Sequence, residues 1–481
     1  MVEKVRKTIM DRKGARWLVL VIVSFAMLTA YLFMETISPL QTMIQNAYGW
    51  DNSNWGFVTG AQGYLNVGLF MLIISGIVLD KMGIRFTAIG SAIVMIVGAV
   101  IKYYAFIGEF DPASEIFGIR SQVFVAAGGF AIFCVGAEAA GITVSKIIVK
   151  WFKGKEMALA MGLEMASARL GSFGSLAFAP MIAKYITISA PVLFGLLLLL
   201  VGFILFLIYT FMDIKFDRQM KETMEEEDEE PFRIKDLGMI LSNRGFWYIA
   251  IMCVLFYSAV FPFYKFGTGL MVNKFGVSAD WAGFIPSILP FGTLFLTPVF
   301  GAYYDNKGKG ASILILGAIM LIAVHFVLWI PGLNALFVAI VAVVFLGIAF
   351  SLVPSAMWPS VPKIIPEKQL GSAYALIFYI QNIGLSGIPL LLGYVLDKTN
   401  PGKADTIDGI SKGLAEQGLT PDQIAIQMED MRKAGEVPIF DYSSTWIVFI
   451  SCTILALVFA FLLKAEDRRK GYGLELPNIQ K

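Results

Sequence analysis

Twelve long apolar runs leave this chain few ways to fold. A helix of roughly 20 apolar residues crosses the hydrocarbon core of a bilayer, and backbone in lipid must close its hydrogen bonds internally. The runs lie at 17–46, 54–79, 85–107, 118–149, 156–185 and 190–212, then at 245–272, 281–304, 311–330, 334–362, 368–396 and 443–464. With six runs on either side of a break at 213–244, the expected fold is an all-α membrane protein of twelve transmembrane helices. Its two pseudo-symmetric six-helix halves would be 1–212 and 245–481. Hydrophobic residues make up 57% of the chain and charged ones 15%, which excludes a soluble globular domain of this length. The break holds Glu225–Glu230, a solvated acidic linker.

A motif recurs at matching places in the two halves. Gly76-Ile-Val-Leu-Asp80-Lys81-Met-Gly83-Ile-Arg85 joins the second and third runs. Its counterpart, Gly301-Ala-Tyr-Tyr-Asp305-Asn-Lys307-Gly308-Lys309, joins the second and third runs of the other half. An internal repeat set between membrane spans marks a transporter built from two similar halves. The glycines allow a tight turn. The aspartates accept charge-assisted hydrogen bonds from helix ends in one conformation and release them in the other. Gly76, Asp80, Lys81, Gly83, Arg85 and Asp305 are therefore the candidate gating residues.

Lys and Arg set the orientation. One side carries Lys4, Arg6, Lys7, Arg12, Lys13 and Arg16, then Lys81/Arg85, Lys150/Lys153/Lys155, Lys307/Lys309, Lys363/Lys368 and Arg468-Arg469-Lys470. The opposite loop Tyr48–Asn54 carries neither residue type. Both termini and the acidic linker are expected on the cytoplasmic side, with the first span retained as a helix. Residues 397–442 form a polar insertion on the far side, where Gly413–Gln417 and Pro421–Lys433 read as short helices. This insertion is either a tolerated surface loop, or a lid or docking surface for an accessory protein.

The net charge of +2 gives no sign of nucleic acid as a partner. Cys134, Cys253 and Cys452 lie in apolar runs with no metal-ligand spacing, and His325 reads as packing. No Gly-rich phosphate loop with Lys-Ser/Thr occurs. Neither a cofactor, a metal nor catalytic machinery is expected, so the chain reads as no enzyme. The expected partners are a small-molecule substrate and the lipid bilayer, and the expected state is a monomer.

With these motifs the chain resembles the major facilitator superfamily over nearly its whole length. It departs from the loop motif at Ile84, where a basic residue is usual. A narrower resemblance rests on Gly136-Ala-Glu138, Trp151-Phe-Lys-Gly-Lys-Glu156, Ala168-Arg169-Leu-Gly171-Ser172, Pro366-Glu-Lys-Gln-Leu-Gly371 and Gln381-Asn382-Ile-Gly384. These look like the lysosomal dipeptide uniporters of the superfamily and their prokaryotic relatives. The resemblance implies that Glu138 holds a peptide amine and Arg169 a peptide carboxylate. No Asn-x-Ser/Thr sequon is present. A bacterial inner membrane is therefore the expected location, with a lysosomal-type membrane as the alternative.

Ionisable residues inside spans are costly and are functional candidates by default. Glu138 precedes Trp151 by the same separation at which Arg169 follows Glu156. At ~1.5 Å per residue both sit roughly 20 Å from the inner helix ends, near the midplane. They form either a structural ion pair or a two-charge site for a zwitterion. Glu35 shares a face with Tyr31 and either serves the site, by binding a cationic group or carrying a proton, or is solvated at the outer mouth. Glu164 reads as structural, with Lys146 as an available partner, and Lys265 either snorkels or lines the site. Trp358 and Gln381 are candidates to complete the substrate site, with Asn382, Gln62 and Asn66 beside them. The resulting function is alternating-access transport of a small organic solute, a dipeptide or similar zwitterion, by uniport or proton symport. Transport of an organic anion is the alternative, and a receptor-like protein that no longer transports is a third.

Overall fold

The structure is a computed structural model that describes residues 13–152, 155–221, 234–366 and 369–478. The expectations for Lys4, Arg6, Lys7, Arg12, Lys153, Lys368 and the Glu225–Glu230 run fall outside the described residues. Apart from a two-residue antiparallel hairpin, Glu115–Ile116 (β1) with Ile119–Arg120 (β2), the regular structure is helical. Ten of the described helical stretches are long and apolar enough to cross a membrane.

The first rod is α1 (Lys13–Met34), a 3-10 turn (Ser38–Leu40) and α2 (Gln41–Tyr48). Pro39 has no N–H to continue the ladder, so the chain breaks at Glu35–Ile37. The second rod is broken as well: α3 (Asn52–Gly60), a 3-10 turn (Ala61–Gly63) and α4 (Tyr64–Gly68) lead to Phe70, whose φ is +55°. The expected continuous helix over 54–79 is thus replaced by short pieces, because Gly60, Gly63 and Gly68 weaken it. Next comes α5 (Met71–Ile107), which passes through a sharp kink at Gly83 with φ +81° and ψ 171°. Only glycine adopts that backbone readily.

There follow α6 (Ser121–Phe152), α7 (Met157–Tyr185) and α8 (Ala190–Lys221). The rods broken in 52–68 and formed by α7 are not among the ten. The second is fragmented, and α7 is diluted by Glu164, Ser167, Arg169, Ser172 and Ser175. Helix α8 runs on through Lys221, beyond the apolar run and into the segment read as linker. After the short α9 (Ile234–Ser242) come α10 (Arg244–Phe275), α11 (Phe284–Lys307), α12 (Gly310–Trp329), α13 (Leu336–Ile364) and α14 (Leu370–Thr399). The last rod is α17 (Ser443–Lys470).

Helix α1 packs on α7 and α8, and α5 packs on α6 and α8. Beyond the linker, α10 packs on α13, α14 and α17, while α12 packs on α13 and α17. Two long seams join these groups, α3 against α14 and α7 against α11. The α3 seam is built on glycine. A β carbon at Gly60 would stand 2.7 Å from the Ser386 carbonyl oxygen, and one at Gly63 would stand 2.8 Å from that of Asn382.

The insertion carries α15 (Lys403–Glu416) and α16 (Pro421–Lys433). The first is longer than the Gly413–Gln417 helix expected from sequence. The second starts on a capping box in which the Thr420 side chain accepts from the Gln423 N–H, and the Gln423 side chain accepts from the Thr420 N–H. Both helices lie on α2. This side of the bundle is called the insertion end below, and the side of Asp80 and Asp305 the motif end.

Close packing of α5 on α6 predicts an asymmetry between two glycines of one helix. At Gly136 a β carbon would meet the Ser91 carbonyl oxygen at 2.6 Å and the Met95 nitrogen at 2.7 Å, whereas nothing lies within 4 Å at Gly128. Gly136→Ala should destabilise by about 1–3 kcal/mol through overpacking. Gly128→Ala should be neutral or stabilise by up to about 1 kcal/mol. Thermal unfolding of the two variants in detergent compares them directly.

Candidate functional site

Glu138 is set back from Phe152 at the motif end of α6, and Arg169 from Met157 at the same end of α7. At the helical rise both stand near mid-depth, about 18–21 Å in. Each is only partly buried, and each meets a helix of the opposite group. The Arg169 guanidinium lies 6.0 Å from the ring centre of Phe261 on α10 and 5.3 Å from that of Phe350 on α13. It also lies within electrostatic reach of Tyr31, Tyr257 and Tyr264. Glu138 is approached by the side chain of Asn382 on α14. Tyr31 on α1 feels both charges. Among the described residues neither Glu138 nor Arg169 makes a salt bridge, to the other or to any third group. The two face the space between the helix groups as separate charges.

Glu35 is placed differently from either expectation. It is 3% exposed and bound to Lys265, itself 3% exposed, with Nζ 2.7 Å from Oε2. Ser38 Oγ donates to the same oxygen at 2.6 Å. The chain break before Pro39 directs Glu35 inward, so it is not solvated at a mouth. Its cationic partner is supplied by the protein itself. Lys265 does not snorkel. Its ammonium is also 5.7 Å from the Phe130 ring, and its carbonyl accepts from Trp55 Nε1 at 2.8 Å. Glu164 does not pair with Lys146, because the Lys146 ammonium is turned to Asp80 at 3.0 Å.

Trp358 Nε1 donates to the Tyr257 hydroxyl at 3.1 Å, and its ring stacks on Phe378 at 4.9 Å. It thus forms a wall beside the aromatic cluster around Arg169. Gln381 is buried and accepts from Cys253 Sγ at 3.7 Å. Asn66 donates to the Gln62 and Cys134 carbonyls, which ties the second rod to α6. His325 is buried between Trp446 and Phe449. Among the described residues no group of three or more His, Cys, Asp or Glu is placed to hold a metal ion.

Among the described residues, the ion pairs around the Asp80 motif lie within one helix group. Asp80 takes Lys146. Arg85 Nε donates to Asp213 at 2.8 Å, and another of its nitrogens meets Asp217. Asp213, 1% exposed, also accepts from Lys150 at 2.9 Å, Trp151 Nε1 at 3.1 Å and the Tyr209 hydroxyl at 3.1 Å. In the second copy of the motif, Asp305 accepts from Asn478 Nδ2 at 2.8 Å. Gly76 and Lys81 flank the Asp80 turn without ties of their own among the described hydrogen bonds.

At the insertion end the bonds cross between groups. Asp397 on α14 accepts from the backbone N–H and the side chains of both Asn52 and Ser53, at 2.6–3.1 Å. Arg120 meets Asp408 of α15 at 3.2 Å, and the Ile188 N–H donates to Asp422 of α16 at 2.7 Å. The insertion end is closed.

The profile of the Major Facilitator Superfamily matches residues 23–389. The chain belongs to the major facilitator superfamily. Members of this superfamily are transporters and not enzymes, and this chain is a multi-pass integral membrane protein. The human lysosomal dipeptide transporter MFSD1 is 27% identical over 404 residues, covering 80% of this chain and 81% of that protein. Among solved structures, a bacterial homologue of the human lysosomal transporter Spinster, inward-facing and occupied, superposes with a TM-score of 0.65. It has 15% identity and covers 94% and 97% of the two chains. The nucleoside transporter NupG gives 0.64 with 14% identity and coverage of 93% and 98%. At such identities the two structures speak for the fold alone.

Asp213 of α8, the partner of the loop motif's Arg85, is a residue that the sequence reading misses. The apolar run stops there, so the sequence alone assigns it to the linker. The available signal is Asp213 and Asp217 at i,i+4 spacing on a helix end opposite basic loops. Asp213→Ala should leave Arg85 and Lys150 with Asp217 as their one remaining shared carboxylate. The expected loss is about 2–3 kcal/mol, below the roughly 3–5 kcal/mol of a fully buried pair because both cations keep solvent contact. A melting curve in detergent measures it.

Proposed function

We propose that this transporter carries a dipeptide or similar zwitterion, with Arg169 binding the carboxylate and Glu138 the amine. One observation carries the reading: two opposite charges stand at mid-depth without salt bridges, each against a helix of the other group. An unpaired charge inside a bundle is costly, and a ligand bearing both complementary charges relieves both costs. Arg169 grips a carboxylate through two parallel hydrogen bonds. The surrounding Phe261, Phe350 and Tyr257 give the guanidinium a weakly solvated setting that strengthens the contact. Trp358 and Phe378 offer an aromatic wall to a peptide side chain, and Gln381 backs that wall. The relation to a named dipeptide transporter supports the same class.

Transport follows by alternating access. Gly76, Asp80, Lys81, Gly83, Arg85 and Asp305 form the gate at the motif end. The Lys/Arg balance supports a cytoplasmic motif end with both termini on that side. The halves are 1–212 and 245–481, joined by the linker. Glu138 is the residue available to carry a proton if the mode is symport rather than uniport.

Thermal-shift titration of the purified chain against dipeptides, amine-blocked dipeptides and carboxylates tests this, because ligand binding raises Tm by mass action. Free dipeptides should raise Tm. Arg169→Ala and Glu138→Gln should each weaken binding roughly 10–100-fold, the worth of one charged hydrogen-bonded contact. Amine-blocked peptides or simple carboxylates that bind as well, and need only Arg169, would replace the zwitterion reading with organic-anion transport.

A further inference from the structure

We propose that Lys102 is the residue to which Glu35 transfers when the insertion end opens, which makes it a positioning residue for the transport cycle. Lys102 on α5 is 0% exposed. Among the described residues its side-chain nitrogen has no hydrogen-bond partner and lies against two aromatic faces, Phe130 at 4.2 Å and Phe33 at 5.0 Å. Lys265 lies over the same Phe130 ring from the other side of the seam, at 5.7 Å. Lys102 is also within electrostatic reach of Glu35 and Lys265. Two buried lysines therefore stand within electrostatic reach of one carboxylate, and Lys265 holds it at 2.7 Å. The other groups turned to this cluster are Tyr31 of α1, Cys134 of α6, Ser38 of the 3-10 turn and Trp55 of α3.

The arrangement matters because of which helices carry the three charges. Glu35 and Lys102 belong to the same group of packed helices, whereas Lys265 rides on α10 of the other. The Glu35–Lys265 bond therefore bridges the groups at their closed end, and opening must break it. A buried carboxylate cannot be left alone without a large desolvation cost. Two conformations can exchange only if their free energies are close. Lys102 meets both requirements. In the closed state it is a buried amine with no hydrogen-bond partner among the described residues, a cost that raises the energy of that state. In the open state it takes over Glu35, while Lys265 moves away into the widening, hydrated mouth.

Spin labels at Phe117→Cys and Lys398→Cys, both exposed at the insertion end, report the distance across it by pulsed electron resonance. The three native cysteines are buried. Lys102→Met should lower the open population roughly tenfold, as expected for loss of one charged contact in one state only. Lys265→Met should raise it. The decisive arm is the Glu35→Gln background, where Lys102→Met should leave the population unchanged, because the effect passes through that carboxylate. Lys102→Gln is the replacement should the Met variant not fold. Equal shifts from Lys102→Met with and without Glu35, no shift in either, or a shift in the same direction as Lys265→Met would overturn the proposal.

Discussion

An ionised side chain among lipid-embedded helices persists only beside an opposite charge, an aromatic face, a polar group or water. The charges of this chain meet that requirement differently at each depth. At the insertion end Glu35 and Lys265 pair across the two helix groups, and Asp397 gathers four donors from Asn52 and Ser53. At the motif end Asp213 collects Arg85, Lys150 and Trp151 inside one group. Halfway between, Glu138 and Arg169 are left to polar and aromatic neighbours. This depth profile is that of a bundle clasped by polar bonds at the insertion end, with the Tyr379 hydroxyl on the Val67 carbonyl as a further bond across the groups toward the motif end.

The insertion belongs with the clasp. Helices α15 and α16 are joined by chain to α14 and α17, yet their contacts run to α2, to Arg120 and to the start of α8. Such a strap adds polar contacts that are made only when the end is closed. Its bonds are partly exposed and individually weak, so together they bias the equilibrium without locking it.

Much of this was legible in the sequence. The apolar runs located the long helices, because a helix in lipid has no substitute for length and hydrophobicity. The repeated Gly-Asp motif located both turns at the motif end, and the in-span charges pointed to Glu138 and Arg169. What the sequence did not disclose was pairing between distant segments. Whether Glu35 faced a ligand or Lys265 depends on how α1 meets α10 across 230 residues of chain, and no local pattern encodes that. Lys102 carried the same signal as Glu138, a charge inside an apolar run, but its aromatic seat comes from α1 and α6. Helix breaks at Gly60–Phe70 were hidden for a related reason. Isolated glycines in an apolar run are tolerated in membrane helices, and only the close approach of α14 gives them a purpose.

The glycine seam between α3 and α14 has a further consequence. At Gly60 and Gly63 the contact is backbone against backbone, with Ser386 Oγ donating to the Gly60 carbonyl at 2.7 Å, so this stretch of the seam has few side chains to disengage and behaves as a bearing surface rather than a latch. The resting balance between the two faces then falls to the polar clasps at the rim, which lie far from the aromatic wall around Arg169. With the substrate site proposed around Arg169, turnover rate and substrate choice are written in different residues. A lineage built on this frame is free to become faster or slower by editing its rim while its selectivity is inherited intact.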